Sequence, residues 1–121
     1  MEKKLLFIAF FITQVLQAQT NTFIGAFDNN WNNNANWSLN LIPTLTDDVV
    51  IPTGKTILLN SDGDAKSIQL EGTATLNLSG NLSIAQLSLA SAQSTINWMS
   101  GSIGGGGTLN NLGKMNILPA G

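Results

Sequence analysis

Val49-Val50-Ile51, five residues, Ile57-Leu58-Leu59: this pair of apolar triplets decides the fold, because the pattern is written three more times. It returns as Ile68-Gln69-Leu70 with Leu76-Asn77-Leu78, and as Leu87-Ser88-Leu89 with Ile96-Asn97-Trp98. The last copy is Gly107-Thr108-Leu109 with Met115-Asn116-Ile117. One column falls at 51, 70, 89 and 109 and another at 59, 78, 98 and 117, a spacing of 19 or 20 residues. A fixed period of that size marks a stacked repeat.

Apolar-x-apolar is the period of a strand, whose successive side chains point to opposite faces. Each repeat holds two such triplets and then a weaker third, clearest at Leu82-Ser83-Ile84. Three short strands cannot bury an apolar face alone, but coil stacked on coil they can, at about 4.8 Å per rung. The triplet ends then form inward ladders: Ile51, Leu70, Leu89 and Leu109; Ile57, Leu76, Ile96 and Met115; Leu59, Leu78, Trp98 and Ile117. Of the sixteen inward positions fifteen are apolar, Gly107 being the exception. The middle residues should face out; Gln69, Asn77, Ser88, Asn97, Thr108 and Asn116 are polar, whereas Val50 and Leu58 of the first rung are not. Corners carry Gly54, Gly72, Gly80, Gly101, Gly113 and Ser61-Asp62-Gly63-Asp64. Amphipathic helices fit neither the spacing nor the Thr, Ser, Asn and Gly content, and a hexapeptide helix is broken by the eight-residue gaps. An antiparallel sandwich explains the strand count but not the constant offset. The expected fold is all-β: a right-handed parallel β-helix of about four rungs, since parallel crossovers are overwhelmingly right-handed.

Residues 1–18 read as an export signal: Lys3 and Lys4, an apolar run from Leu5 to Ile12, and Leu16-Gln17-Ala18 as the cleavage site. The alternative is a buried N-terminal helix. The apolar run is shorter than the ~20 residues that span a bilayer, so no membrane span is expected after signal removal. The product, from Gln19, is expected to be secreted or held at the cell surface. The sequence has no Cys, excluding disulfides and thiol-bound metals. Past residue 18 there are three lysines (Lys55, Lys66, Lys114) and six acids (Asp28, Asp47, Asp48, Asp62, Asp64, Glu71), a net charge of −3. With no Arg and no basic patch, a nucleic-acid partner is not expected.

Residues 19–48 are expected to cap the first rung, with residues 49–121 as the β-helix repeats. Phe23-Ile24-Gly25-Ala26-Phe27 reads as a strand, followed by the Asn-rich run Asp28 to Trp37. Phe23, Phe27, Trp31 and Trp37 have two readings: a cover over the open apolar end, or a platform on which sugar rings stack. Val50 and Leu58 favour the cover, because something should lie over the first rung. Trp31, Ala35-Asn36-Trp37, Pro43 and Asp47-Asp48-Val49-Val50-Ile51-Pro52-Thr53-Gly54-Lys55 together resemble the N-terminal region of large secreted bacterial β-solenoid, adhesin-like surface proteins. Gly104-Gly105-Gly106-Gly107-Thr108-Leu109-Asn110-Asn111 resembles their rung turns. The resemblance implies surface display and adhesion, often with a C-terminal sorting domain for type IX secretion; it carries over no catalytic residue. Such proteins are usually longer, and the sequence halts within the fourth rung at Leu118-Pro119-Ala120-Gly121. The expectation is therefore a β-helix truncated at its C-terminal end, met by further rungs or by self-association through the open end.

Asn60-Ser61-Asp62-Gly63-Asp64-Ala65, with Glu71 beyond, approaches a calcium loop but lacks its first Asp and sixth-position Gly; Asp62 and Asp64 are the candidate ligands against a plain corner turn. Asp47 and Asp48 are adjacent and should face opposite ways. With no His, Arg, Cys or Tyr, and with acids scattered over different rungs, no cofactor and no catalytic group is expected. The outward columns offer Thr75/Asn77 and Thr95/Asn97 on one flat face, where hydroxyls and amides would contact a polysaccharide or order water as ice-binding solenoids do; the structural alternative is that Thr favours strands and Asn ladders stabilise stacking. The expected function is a non-enzymatic structural or adhesion solenoid, part of a larger cell-surface protein. The alternatives are a carbohydrate-binding region (Trp31, Trp37, Thr75, Asn77, Thr95, Asn97) of a polysaccharide-active enzyme and, behind it, ice binding.

Overall fold

The computed structural model describes residues 19–89 and 91–118, the side chains of Ser88 and Leu89 excepted. The expected signal segment, 1–18, and the inward placement of the Leu89 side chain lie outside the described residues. The described chain is almost wholly β: β1 (Gln19–Thr22), β2 (Asp47–Ile51), β3 (Thr56–Leu59), β4 (Gly63–Leu70), β5 (Thr75–Leu78), β6 (Leu82–Leu89), β7 (Thr95–Trp98), β8 (Ile103–Gly104), β9 (Thr108–Asn111) and β10 (Lys114–Ile117). The strands pair only in parallel with their equivalents one rung away: β1-β2-β4-β6-β8, with β9 also on β6, form one sheet and β3-β5-β7-β10 the other. This is a β-solenoid of about four turns.

The inward columns are where the triplets put them. Val49, Ile51, Ile57, Leu59, Ile68, Leu70, Leu76, Leu78, Leu87 and Ile96 are all at most 2% exposed. Burying each such side chain stabilises the fold by about 1.5–3 kcal/mol, which is why the register cannot slip. The third triplet is not a separate strand, however. It runs into the next first triplet as one eight-residue strand in β4 and β6. Burial shows the corner inside β4: Gly63 and Ala65 are buried, Lys66 and Ser67 are not, and Ile68 and Leu70 are buried again. The phase shift turns the chain from the third side to the first, and the β4–β6 register skips only the Lys66–Ala85 pair at the bend. Gly63 therefore opens a strand instead of sitting in a corner.

The last rung departs from the expected register. Leu109 pairs with Leu87 and Asn111 with Leu89, so Leu109 stands in the column of 49, 68 and 87, not of 51, 70 and 89. The glycine run before it adds residues: Leu82 pairs with Ile103 and Gln86 with Thr108, offsets of 21 and 22, while Thr95 to Lys114 returns to 19. Gly107 falls at the bend opposite Ala85, where an added Cβ would lie 1.5 Å from the Ala85 carbonyl oxygen. That close approach, not a missing core residue, is why the one non-apolar position is glycine.

Residues 19–48 were expected as a cover; the structure makes their first part a rung. Asn21 pairs with Val49, and Asn30 forms a parallel bridge to Leu58, both at an offset of 28. Phe23 and Trp31 thereby head the columns of Ile51 and Leu59. The strand is Gln19–Thr22, wholly before the expected Phe23–Phe27 stretch, because Gly25 at φ +62° turns the chain immediately after Phe23 and Ile24. Phe27 does not join the cover: it is 72% exposed. The chain then leaves the coil, forms a single 3-10 turn (Asn34–Asn36) and returns antiparallel along β1, with Trp37 bridged to Phe23.

Candidate functional site

The outward face of β3-β5-β7-β10 is built by strand alternation. With Ile57, Leu76, Ile96 and Met115 turned inward, their neighbours form two outward columns: Thr56, Thr75, Thr95 and Lys114, and Leu58, Asn77, Asn97 and Asn116. The asparagines are joined edge to edge: Asn97 Nδ2 donates to Asn77 Oδ1 at 2.8 Å, and Asn116 Nδ2 donates to Asn97 Oδ1 at 2.8 Å. Thr75, Asn77, Thr95, Asn97 and Asn116 are half-buried, while Thr56 and Lys114 are exposed. An amide carries two N–H donors and two acceptor sites, so each linked asparagine retains polar capacity toward solvent. The face thus presents hydroxyls and amides at rung spacing, on four paired parallel strands. The structural reading of the ladder is correct as far as it goes, since every link also ties two rungs together.

Trp31 and Trp37 take no part in any outward face. They are 0% and 1% exposed, so neither offers a ring to a sugar, and the stacking-platform reading is corrected to the cover. Trp37 packs edge-on to both Phe23 (5.3 Å) and Trp31 (5.0 Å), each at 73°, the arrangement that ring quadrupoles favour. Trp37 Nε1 donates to the Trp31 carbonyl at 2.8 Å, whereas Trp31 Nε1 is buried without a partner. It stands beside Gly63, where an added Cβ would lie 3.1 Å from it and 2.8 Å from Leu59 Cδ1; glycine there makes the room in which the indole sits. Sequence reasoning missed the residue that organises the cover, Asn36. Fully buried, it accepts the backbone N–H groups of Phe27 and Asp28 (2.9 Å each) and donates to Asp28 Oδ1 and to the Asn30 carbonyl. Within an Asn-rich run only its place in Ala35-Asn36-Trp37 marks it. The Asn30 backbone N–H and then the Asn36 amide hold the Asp28 carboxyl below its usual pKa.

The acidic corner does not gather ligands. Asp62 Oδ1 accepts from Asn81 Nδ2 at 3.1 Å, and Asn81 Oδ1 accepts from Ser102 Oγ at 3.0 Å, a corner ladder between rungs. Asp64 faces outward from β4, and Glu71 follows that strand's far end, roughly 20 Å along it. Among the described residues no three His, Cys, Asp or Glu side chains come together as a metal site. Asp47 and Asp48 face opposite ways as expected: buried Asp47 accepts the Thr44 N–H at 2.9 Å, and Asp48 accepts the Ser67 hydroxyl at 2.6 Å on the outer surface. A groove of about 370 Å³ opens on the last rung between Ile84, Leu87, Trp98, Ile103, Leu109 and Met115. Leu109 and Ile117 are 48% and 69% exposed there.

Parallel coils with an inward apolar stack and outward polar ladders define a β-solenoid repeat protein. The chain belongs to the family of the domain of unknown function DUF8693, whose profile matches residues 22–117. The match takes in the cover and the rungs together, in keeping with their shared columns. No curated protein and no solved structure matches the chain. Among the described residues no helix is long and apolar enough to cross a membrane.

Proposed function

We propose that this chain is a secreted, non-enzymatic β-solenoid that forms the N-terminal part of a larger cell-surface protein and serves there as a rigid structural or adhesive rod. The observation that carries the reading is the parallel pairing of each strand with its equivalent one rung away, which sets outward columns at rung spacing while the interior is filled with apolar side chains. Such a body supplies stiffness and a patterned face, and the absence of His, Arg, Cys and Tyr from the sequence leaves few groups for acid–base or nucleophilic chemistry. The N-terminal signal pattern supports export, and the resemblance of the Trp31 to Lys55 stretch to adhesin-like surface proteins supports display. Export is checked by N-terminal sequencing of the protein recovered outside the cell. A chain starting at Gln19 supports the reading; retention of residues 1–18 in the cell interior would sink it.

A second reading, contact with polysaccharide, is favoured by the Thr75/Asn77 and Thr95/Asn97 face. Glycan-array binding should fall at least tenfold in Asn97→Leu with the melting temperature little changed, and Trp31→Ala should lose binding only by losing the fold. Binding that survives Asn97→Leu and Thr75→Leu together would remove the face from consideration.

A further inference from the structure

Asp47 is a buried carboxylate without a counter-ion among the described residues. It is 7% exposed at the start of β2. Its Oδ2 accepts the Thr44 N–H at 2.9 Å and the Thr44 hydroxyl at 3.4 Å, and its own N–H donates to the Thr44 carbonyl at 3.0 Å. Those bonds aim the carboxylate back past the start of the strand. Among the described residues Oδ1 accepts no hydrogen bond, and no lysine ion-pairs with the carboxylate. Lys55 Nζ donates to the Ile24 carbonyl at 3.1 Å, and Lys114 lies in the last rung. Lys66, one rung on from Asp47 by the β2–β4 register, is exposed at the bend. Asp48, the other acid at this strand end, is held by the Ser67 hydroxyl on the outer surface. A nearly buried carboxylate destabilises a fold unless a cation and hydrogen bonds meet it.

The register supplies one. Gln19, the first residue of β1, is the parallel partner of Asp47, so their Cα atoms are about 4.8 Å apart. Parallel strands enter from the same side. The α-nitrogen of Gln19 therefore lies on the side toward which Asp47 reaches for Thr44. A groove of about 280 Å³ opens there, its lining including Gln19, Leu39, Leu41, Thr44 and Asp47. Its apolar wall is pinned to β1 by fully buried Asn21, which accepts the Leu39 N–H at 3.2 Å and donates to the Leu41 carbonyl at 2.8 Å. Beside those leucines a charge pair is screened less than on the open surface.

In the uncut chain the Gln19 nitrogen belongs to a peptide bond and carries no charge. Hydrolysis after Ala18 changes that: the oxygen of water goes to the Ala18 carbonyl carbon, the carbon–nitrogen bond breaks, and both water protons end on the departing nitrogen. The product is an ammonium at neutral pH, since α-amino groups titrate at about 7.7–8.0. We propose that the α-ammonium of Gln19, created by that cleavage, is the counter-ion of Asp47, and that the pair locks the start of β1 to the 44–47 turn. The pair rests on the export reading and its cleavage site. Removal of the signal is then also the step that completes the first rung.

The test uses the protein recovered outside the cell. Tandem mass spectrometry first fixes its N-terminus. A chain that starts anywhere but Gln19 overturns the cleavage site and the pair together. A chain that starts at Gln19 but is lighter by one ammonia has closed its amine on its own side-chain amide. That leaves export standing and overturns the pair, because the lactam is uncharged. With the free amine present, glutaminyl cyclase is used to remove the charge. Hydrogen exchange read by mass spectrometry should then quicken at least tenfold in residues 20–23 and 44–48 and stay unchanged in β5 and β7. Asp47→Asn should exchange at the faster rate already, with nothing added by the cyclase. Exchange indifferent to cyclisation overturns the proposal, and so does an equal response in Asp47→Asn. Lys66→Gln that reproduces the Asp47→Asn effect overturns it too, by making Lys66 the counter-ion. Should the cyclase not act or Asp47→Asn not fold, the amine's own titration decides. The pH midpoint of its acetylation should stand at least about one unit above that of a free peptide of residues 19–24, and any smaller rise overturns the proposal.

Discussion

Individual residues do two kinds of work here, and alternation along a strand separates them. Leu70 is fully buried, while Asn97 one rung later stands half outside and bonds to its neighbours above and below. Leu70→Asp places an unpaired charge in an apolar column, and the cost of several kcal/mol exceeds what a small solenoid has in reserve. Asn97→Asp loses one donor at a surface with water to replace it, worth about 1 kcal/mol. Far-UV circular dichroism should therefore show Leu70→Asp unfolded at 25 °C and Asn97→Asp folded with a modestly lower melting temperature; equal effects would refute the inside–outside assignment. The Leu70 side of this contrast is legible from the triplet alone. Asn36 is not, because its fully buried amide is surrounded in sequence by asparagines that are exposed or half-exposed, and only the folded excursion distinguishes it.

At the scale of the element, the hydrogen bonds that hold the cover take in one carboxylate. Asp28 accepts the Asn30 backbone N–H and the Asn36 amide, and its pKa lies below the ordinary value of 3.8. A carboxyl whose folded pKa is lowered stabilises the fold fully above its unfolded pKa and loses that contribution as pH falls through the lower, folded value. The difference in melting temperature between the natural sequence and Asp28→Asn should thus be present at pH 7 and shrink below about pH 4, vanishing at the acid end. A difference that stays constant from pH 7 to pH 2 would mean that the cover does not depend on this carboxylate. The sequence marked this stretch as turn-rich and aromatic, which is correct. It did not show that Phe23 and Trp31 continue the interior columns, because the inserted excursion lengthens the repeat from 19 or 20 residues to 28.

Across the whole molecule the solenoid is uneven from end to end. The first rung is closed by Phe23, Trp31 and Trp37, all at most 1% exposed, whereas Leu109 and Ile117 in the last rung are 48% and 69% exposed. Each rung is supported by its neighbours, so in residues 19–118 taken alone local opening should begin at the end whose apolar side chains are exposed. Amide hydrogen exchange should accordingly be slowest in β4 and β5 and fastest in β8, β9 and β10, with β1 and β2 nearer the slow group. Uniform protection would indicate that the last rung is covered in solution.

The sequence by itself determined the parallel coil, its period, the inward placement of the triplet ends from Val49 to Leu87 and of Ile96, and the opposite facing of Asp47 and Asp48. All of these follow from local alternation and from one repeat length. Tertiary structure alone decided that the third side bends directly into the first, that the glycine run moves Leu109 by two places, and that Trp31 and Trp37 are buried and unavailable to a ligand. Each of those depends on what lies one rung away: the Ala85 carbonyl against Gly107, and the Gly63 backbone against Trp31. A stacking distance of about 4.8 Å leaves no slack for either, and no pattern within a single repeat records what its neighbour will occupy.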